Sequence, residues 1–524
     1  MSELIRSSLI WRTVAAIAAW FSTTAVARAL GKLRACWQRS GCYRLFARLL
    51  TAPPAVEKTG FHRLLQGCNR KLCSQWYARQ METSVFRELY GKLLKALRSS
   101  LFVGKIFQGG MVSFLLFLIA AYWPVDYLLR DVLKLEAISS VWDEAMIALG
   151  FLWLIHRRVM AADPIRSRLN SADLALSFYL LAGLILLMYT CTKLSINITG
   201  YRASMQYILI FFLVVRLIRD EADFRLMYDV MVLFATVFAL HGLYQFVVGA
   251  PIPENWTDQA ETAVRTRVYS IFSNPNIMGA YMILFAPMTI ARAYETEDVS
   301  RKVFFWGCGL CMCLATLFTM SRGAWLALAL AAVFFALIVD RRLLLVMLAA
   351  GVAACFLPFV RSRITYLFTA DFAASNARAG RGKRWSTALG YLDRENAWAG
   401  GLGYGIFGGA VAMQNQVSPQ YEYMYVDNYY VKILTENGLI GLVSFLLSMV
   451  GLVWTGCRAA GLADKRKKPL CVGMLAGLLG ILAQSFFESI WEEPYMMALF
   501  FAVAGMMVYE GFFSGAKQER ENGL

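Results

Sequence analysis

Long apolar segments restrict how this chain can fold more than any other feature of its sequence. Hydrophobic residues make up 58% of its 524 residues and charged residues only 17%, whereas soluble domains carry about 25% charged residues. The apolar residues are concentrated in runs that approach the roughly 20 residues a helix needs to cross a bilayer. We therefore predict an all-α polytopic membrane protein.

Twelve membrane-spanning helices are predicted from these runs, although Asp143 and Glu144 weaken the case for the second. Their cores lie at 107–128, 140–156, 172–190, 203–219, 223–249, 276–293, 303–320, 324–339, 342–360, 430–455, 469–487 and 495–513. Cytoplasmic loops of membrane proteins are enriched in Lys and Arg. With a cytoplasmic N-terminus, the loops after every second helix are basic and all lie on one side, which supports the count.

A separate basic region precedes the helices at residues 1–100. It contains 17 Lys and Arg residues against four acidic residues, with aromatic residues and leucines interleaved. Basic helices with an apolar face bind anionic membrane surfaces, so we expect this region to lie on the cytoplasmic leaflet. A small solvated helical domain is the alternative. Its apolar run Thr13–Val26 is short and lacks a signal-peptide cleavage site, so we expect it to remain on the mature protein.

The rest of the chain divides into transmembrane and loop parts. These are helices one to nine within 101–360, a long external loop at 361–428, helices ten to twelve within 429–514, and a cytoplasmic tail at 515–524. The long loop is rich in arginine although external loops usually are not, so we interpret it as a binding surface for an anionic ligand. The alternative is that long loops cross the membrane regardless of charge. The net charge of +17 comes with no nucleic-acid recognition motif, and no nucleic-acid partner is expected.

The first polar segment of interest precedes helix six. Arg265 and Arg267 are followed by Asn274-Pro275-Asn276, and Asn-Pro marks a turn and the start of a helix. The two arginines are therefore expected at the outer end of helix six. Asn274 has a purely structural alternative as a helix cap.

Two further polar segments are predicted at the same membrane face. Arg322 separates the apolar runs of helices seven and eight, and a charged side chain near hydrocarbon costs up to roughly 2.5–3.5 kcal/mol. Asp427 and Asn428 lie at the start of helix ten. The structural alternatives are a snorkelling anchor for Arg322 and a helix cap for Asp427 with Asn428. Because all three segments share one face, we interpret them as one site.

Few kinds of chemistry are available at that face. The sequence has no Walker loop, HExxH, GxSxG or Rossmann glycine pattern, and no Asp-x-Asp pair placed to hold a nucleotide-sugar metal. The only histidines, His62, His156 and His241, lie outside the external loops, and the cysteines match no zinc pattern. We expect neither a metal nor another cofactor.

These segments resemble the O-antigen ligase-like superfamily, which includes WaaL-type ligases and Wzy-type polymerases, over roughly residues 107–513. The matching segments are Arg267 to Asn276 with Ser270 in place of the usual glycine, Ser321-Arg322-Gly323, Arg384-Trp385, Gly401-Leu402-Gly403, and Asn428, Gly438 and Gly441 at the ligase spacing. Asp427 replaces the histidine of the ligase motif. This replacement favours a polymerase over a ligase.

The resemblance implies a membrane transferase of the GT-C type, metal-independent and inverting, in the bacterial inner membrane with its site on the outer face. Its donor would be an undecaprenyl-diphosphate-linked oligosaccharide and its acceptor a glycan or lipid. The predicted catalytic residues are Arg267, Arg322 and Asp427, and the predicted substrate-binding residues are Arg265, Asn274, Asn276, Arg381, Arg384 and Asn428. Arginine suits a diphosphate because it donates bidentate hydrogen bonds, and a carboxylate can take the acceptor proton. The alternatives are a flippase or transporter of a lipid-linked glycan and a SEDS-type peptidoglycan polymerase.

Overall fold

The computed structural model describes residues 110–160, 168–252, 266–272, 274–415 and 425–514, together with Gly60 and Lys92. Within these ranges the chain is helical and contains no strand, so the predicted all-α fold class is confirmed. Apart from those two isolated positions, the predicted basic region 1–100 lies outside the described residues. The tail 515–524 and the predicted substrate-binding residue Arg265 also lie outside them.

The described helices follow the predicted apolar runs. In chain order they are α1 (Met111–Ala120), α2 (Tyr122–Tyr127), α3 (Glu136–Ser139), α4 (Trp142–Met160), α5 (Ser171–Tyr189), α6 (Leu194–Met205), α7 (Ile208–Leu217), α8 (Glu221–Val248), α9 (Pro275–Glu295), α10 (Val299–Phe318), α11 (Arg322–Ile338), α12 (Arg342–Cys355), α13 (Pro358–Thr365), α14 (Ala370–Ala379), α15 (Arg381–Arg394), α16 (Gly409–Asn415), α17 (Tyr429–Leu462), α18 (Lys468–Gln484) and α19 (Pro494–Phe512). Short π and 3-10 turns follow α2 and α13, and another precedes α19.

Six of the described helices are long and apolar enough to cross a bilayer, and the number rises to nine if each of three bent pairs is one span. The bent pairs fall on the predicted spans 107–128, 203–219 and 342–360, with bends of 82°, 41° and 82°. Proline accounts for the two sharper bends, because Pro124 and Pro358 have no N–H to bond the carbonyl four residues earlier. Twelve spans therefore remain a prediction.

Two helices form the centre of the bundle. The apolar stretches of α9 and α19 are 83% and 89% buried inside the protein, more than those of the other long helices. Gly477 of α18 lies directly against the backbone carbonyl of Leu284 in α9, where a Cβ would not fit. Such contacts between small residues and backbone allow the close helix packing on which membrane bundles depend.

Ion pairs join several helix ends at one end of the bundle. Glu295, at the end of α9, contacts Arg225 at 2.6 Å and Arg292 at 2.5 Å. Glu221, at the start of α8, contacts Lys467 at 2.6 Å. These residues belong to or flank the turns after predicted helices four, six and ten, so those turns share one end. The start of α9 lies at the opposite end, about 30 Å away for a helix of this length.

The segment 361–428 is not an irregular loop. Where it is described it is largely helical, containing the end of α13 and all of α14, α15 and α16. This segment lies at the end of the bundle where α9, α11 and α17 begin, because Arg363 contacts Met320 and Arg384 contacts Asp427. Its position outside the membrane remains a prediction.

Candidate active site

Arg267 and Asn276 are held together at the start of α9. Arg267 is buried, with 6% exposure, and its Nε donates to the Thr319 carbonyl at 2.9 Å while Nη2 donates to Asn276 Oδ1 at 3.1 Å. The side chain of Asn274 caps α9 by accepting from the Asn276 amide at 2.7 Å. The structure therefore gives Asn274 the cap role, and its contact with substrate stays a prediction.

Arg322 opens α11 and reaches the 361–428 segment. Its Nη1 donates to the carbonyl of Arg363 at 3.3 Å, and its guanidinium lies 5.6 Å from the centre of the Phe372 ring. Arg363 is itself buried and donates to the carbonyl of Met320. Arg322 therefore contacts protein groups, whereas a snorkelling side chain would only extend along lipid towards water.

Asp427 forms an ion pair with the start of α15. Its Oδ2 lies 2.7 Å from Arg384 Nη2 and 3.9 Å from Arg381 Nε. Arg384 also donates to the carbonyl of Tyr425 at 2.9 Å, and Trp385 Nε1 donates to the carbonyl of Val426 at the same distance. The Arg-Trp pair thus docks α15 onto the residues that precede α17.

The helix-cap alternative for the pair Asp427 and Asn428 holds for Asn428, which is the cap of α17, and not for Asp427. Asn428 Oδ1 accepts from the amides of Tyr430 and Val431 at 3.0 and 3.2 Å. Asn428 is buried, and its side-chain oxygen is engaged in the cap. Its predicted role in substrate binding remains a prediction.

The three polar segments converge on residues 485–493, between α18 and α19, which the sequence analysis did not single out. Glu488 Oε2 accepts from Asn276 Nδ2 at 2.5 Å. Gly323 lies directly against Phe487. A Cβ added to this glycine would be only 2.7 Å from the Cβ of Phe487. The amide of Tyr429 donates to the carbonyl of Ser485 at 2.9 Å. One segment therefore contacts the starts of α9, α11 and α17.

Glu488 lies between the predicted residues of the site. Burial and the nearby charge of Asp427 raise its pKa to about 7, against the opposing effects of the Asn276 hydrogen bond and the Arg381 charge. The sequence did carry a signal: Glu488, Glu492 and Glu493 form an acidic cluster in the turn between the last two predicted helices, at the same face as the arginines.

A helix break shapes the other side of the site. Gly438 interrupts α17 with φ +64° and ψ −168°, so the broken helix ends need new hydrogen-bond partners. Leu439 and Ile440 donate to the carbonyls of Trp398 and Ala399, while Leu402 and Gly403 donate to the carbonyls of Thr435 and Glu436. Gly438 thus provides the break into which the Gly401-Leu402-Gly403 segment fits.

A lysine with 14% side-chain exposure connects this break to the acidic segment. Lys432 Nζ lies 2.9 Å from Glu492 and 3.9 Å from Glu436, and Glu492 accepts from the amide of Ala410 at 3.1 Å. In the described ranges, no group of three or more His, Cys, Asp or Glu side chains is arranged to hold a metal ion. The charged side chains described at the site are arginines, carboxylates and this lysine.

The family model for O-antigen ligases matches residues 307–446. This match confirms the resemblance of the chain to the O-antigen ligase-like superfamily. No curated protein matches the chain. The family match, together with the apolar helices, supports a multi-pass membrane protein with an O-antigen ligase- or polymerase-type function, that is, an enzyme of glycosyl transfer.

Residues 307–446, which match the family model, contain only part of the candidate site. Arg322, Arg384, Asp427 and the broken start of α17 lie inside residues 307–446. Arg267 with Asn276, and Glu488, come from outside this range. The structure thus assembles the site from the matched domain and from helices on both sides of it.

Proposed function

We propose that this protein is a metal-independent, inverting glycosyltransferase that moves a glycan from an undecaprenyl-diphosphate-linked donor to a sugar hydroxyl, polymerising or ligating cell-surface polysaccharide. The observation that carries the proposal is that the segments bearing Arg267, Arg322 and Asp427 all contact residues 485–493, where Glu488 accepts from Asn276, and that Asp427 pairs with Arg384. Such a site suits a reaction with an anionic leaving group and an acceptor that loses a proton.

The arginines bind the donor diphosphate in this proposal. Loss of the glycan leaves an additional negative charge on the diphosphate, and guanidinium groups bind phosphate oxygens through paired hydrogen bonds while remaining charged. Arg267 is buried, and its hydrogen bonds to Thr319 and Asn276 orient it. Donors fixed in advance in a site with little water stabilise developing charge better than mobile donors in bulk solvent.

Asp427 serves the acceptor. The acceptor oxygen forms a bond to the anomeric carbon, and the bond from that carbon to the phosphate oxygen breaks, leaving its electron pair on the diphosphate. The acceptor proton passes to Asp427. The guanidinium of Arg384 lies 2.7 Å from the Asp427 carboxylate, and a positioned carboxylate can act as a general base. A single displacement of this kind inverts the anomeric centre.

The outer face of the bacterial inner membrane is the proposed location. The arginine-carboxylate site and the ion-paired basic turns lie at opposite ends of α9, and basic turns favour the cytoplasmic side. A site at the other end then faces outward, where exported lipid-linked glycans are available. Asp427 in place of the ligase histidine favours a polymerase.

Cells that lack the gene provide the test. If the protein is a polymerase, single repeat units on lipid should accumulate at the outer leaflet, and purified protein supplied with these units should lengthen them, as read by mass spectrometry. Short chains capped on a new acceptor would indicate a ligase. Accumulation of repeat units at the inner leaflet would contradict the proposal, because that is the result of a missing flippase.

A further inference from the structure

Asn276 bridges two groups of opposite charge. Its Oδ1 accepts from Arg267 at 3.1 Å, and its Nδ2 donates to Glu488 at 2.5 Å. Glu488 is 9% exposed and Arg267 is 6% exposed, so water reaches neither group easily. The three side chains form a continuous line from the segment 485–493 to the arginine proposed to bind the diphosphate.

The side-chain amide of Asn276 is restricted to one orientation only when Glu488 is ionised. A carboxylate can only accept hydrogen bonds and a guanidinium can only donate them. The amide of Asn276 therefore has one orientation that satisfies both neighbours, with its nitrogen towards Glu488 and its oxygen towards Arg267. A protonated Glu488 can donate as well as accept, and the opposite amide orientation then becomes available.

We propose that Glu488 is a positioning residue that, through Asn276, holds the Arg267 guanidinium in the orientation that binds the donor diphosphate, and that it does so in its ionised form. The inference rests on the proposed function for the identity of the ligand. It adds a residue outside the sequence-predicted site and makes donor binding depend on pH.

The groups around Glu488 determine the pH at which donor affinity should change. Burial and Asp427 raise its pKa to about 7, while the Asn276 bond and Arg381 act in the opposite direction. Arg384 pairs with Asp427 and Lys432 pairs with Glu492, while Tyr425 interacts electrostatically with Glu488, Glu492 and Glu493. Because the pKa is raised, the ionised form dominates only above about pH 7, and affinity should rise as the pH rises through that value.

Binding of undecaprenyl diphosphate to the purified full-length protein tests the proposal. Wild-type affinity should increase about tenfold between the acid and alkaline sides of pH 7, since a hydrogen bond to a charged partner is stronger than one between neutral groups. Glu488→Gln keeps an acceptor oxygen but does not titrate. Its affinity should be independent of pH in this range and equal to that of the wild type at low pH. Glu493→Gln removes the same charge from the same segment and should keep the pH step.

A double-mutant cycle supplies the second measurement. Asn276→Ala removes the bridge, so adding Glu488→Gln to it should change affinity no further, as expected for groups that act in one network. A pH step that persists in Glu488→Gln, or that disappears equally in Glu493→Gln, would overturn the proposal. A normal step in binding without any glycan transfer would instead contradict the proposed function alone.

Discussion

Three residues of the site have backbone conformations that residues other than glycine rarely adopt. φ is +54° at Ser270, +55° at Met320 and +50° at Asp427, which places one such residue in or beside each polar segment. Left-handed residues of this kind cost of order 1–3 kcal/mol each and cluster at functional sites. The resemblance placed a usual glycine at Ser270, and the structure supplies the reason, because glycine takes this conformation without steric cost.

Conservative changes at the arginines test the diphosphate clamp. Arg267→Lys and Arg322→Lys keep the charge but remove the planar fork, and each should lower kcat/KM about 10- to 100-fold, as expected for lost charge-assisted hydrogen bonds. The measurement is glycan transfer from a lipid-linked donor by purified variants. Arg301→Lys, 74% exposed at the other end of the bundle, should be unaffected. Near-normal activity in both site variants would show that the clamp is wrong.

Asp427→Asn separates a base from a structural residue. Asparagine tolerates the left-handed conformation that Asp427 adopts, and the cap of α17 is provided by Asn428, so the variant should remain folded. It should bind donor and lose about 10²- to 10⁴-fold of its turnover, the usual contribution of a general base. Single-turnover assays at saturating donor measure this. The exposed Asp464, changed to Asn, is the matched control, and full activity in Asp427→Asn would return Asp427 to a structural role.

At the scale of the helices, most boundaries followed from the sequence because apolar runs and cap residues are local signals. The predicted starts at 276, 324, 430 and 495 fall within two residues of the starts of α9, α11, α17 and α19. The bends and the break at Gly438 were not predicted, since their geometry depends on what packs against them. The role of Glu488 was missed for the same reason: its partner Asn276 is 212 positions away in the chain.

The break in α17 gives a prediction about stability. Gly438 has a φ and ψ combination that is nearly restricted to glycine, and a Cβ there would collide with the carbonyl group of Ala399. Gly438→Ala should therefore destabilise the protein by about 2 kcal/mol or more, seen as a lower melting temperature in detergent. Gly461, in the same helix with open space around it, should tolerate alanine. Equal stability of the two variants would contradict the role assigned to the break.

At the scale of the whole molecule, each end of the bundle carries a cluster of ion pairs. At one end carboxylates are shared between basic residues: Glu295 contacts Arg225 and Arg292, and Glu221 contacts Arg225 and Lys467. At the other end two arginines of α15 approach the single carboxylate of Asp427. The sequence could predict that the basic turns share a side, but not that three distant segments meet around one acidic turn.

The region 1–100 is the part of the molecule whose role is predicted from sequence alone. Every side chain assigned to the site in the structure lies between residues 267 and 492. Basic residues near an anionic leaflet contribute about 1 kcal/mol each to membrane attachment. Deleting residues 1–95 should therefore lower the amount of protein recovered in membranes while leaving turnover per folded molecule similar to that of the full chain. Immunoblots of membrane fractions and transfer assays on the purified, monodisperse variant measure the two effects separately. Loss of turnover in a well-folded truncation would instead assign the region a regulatory or partner-binding role.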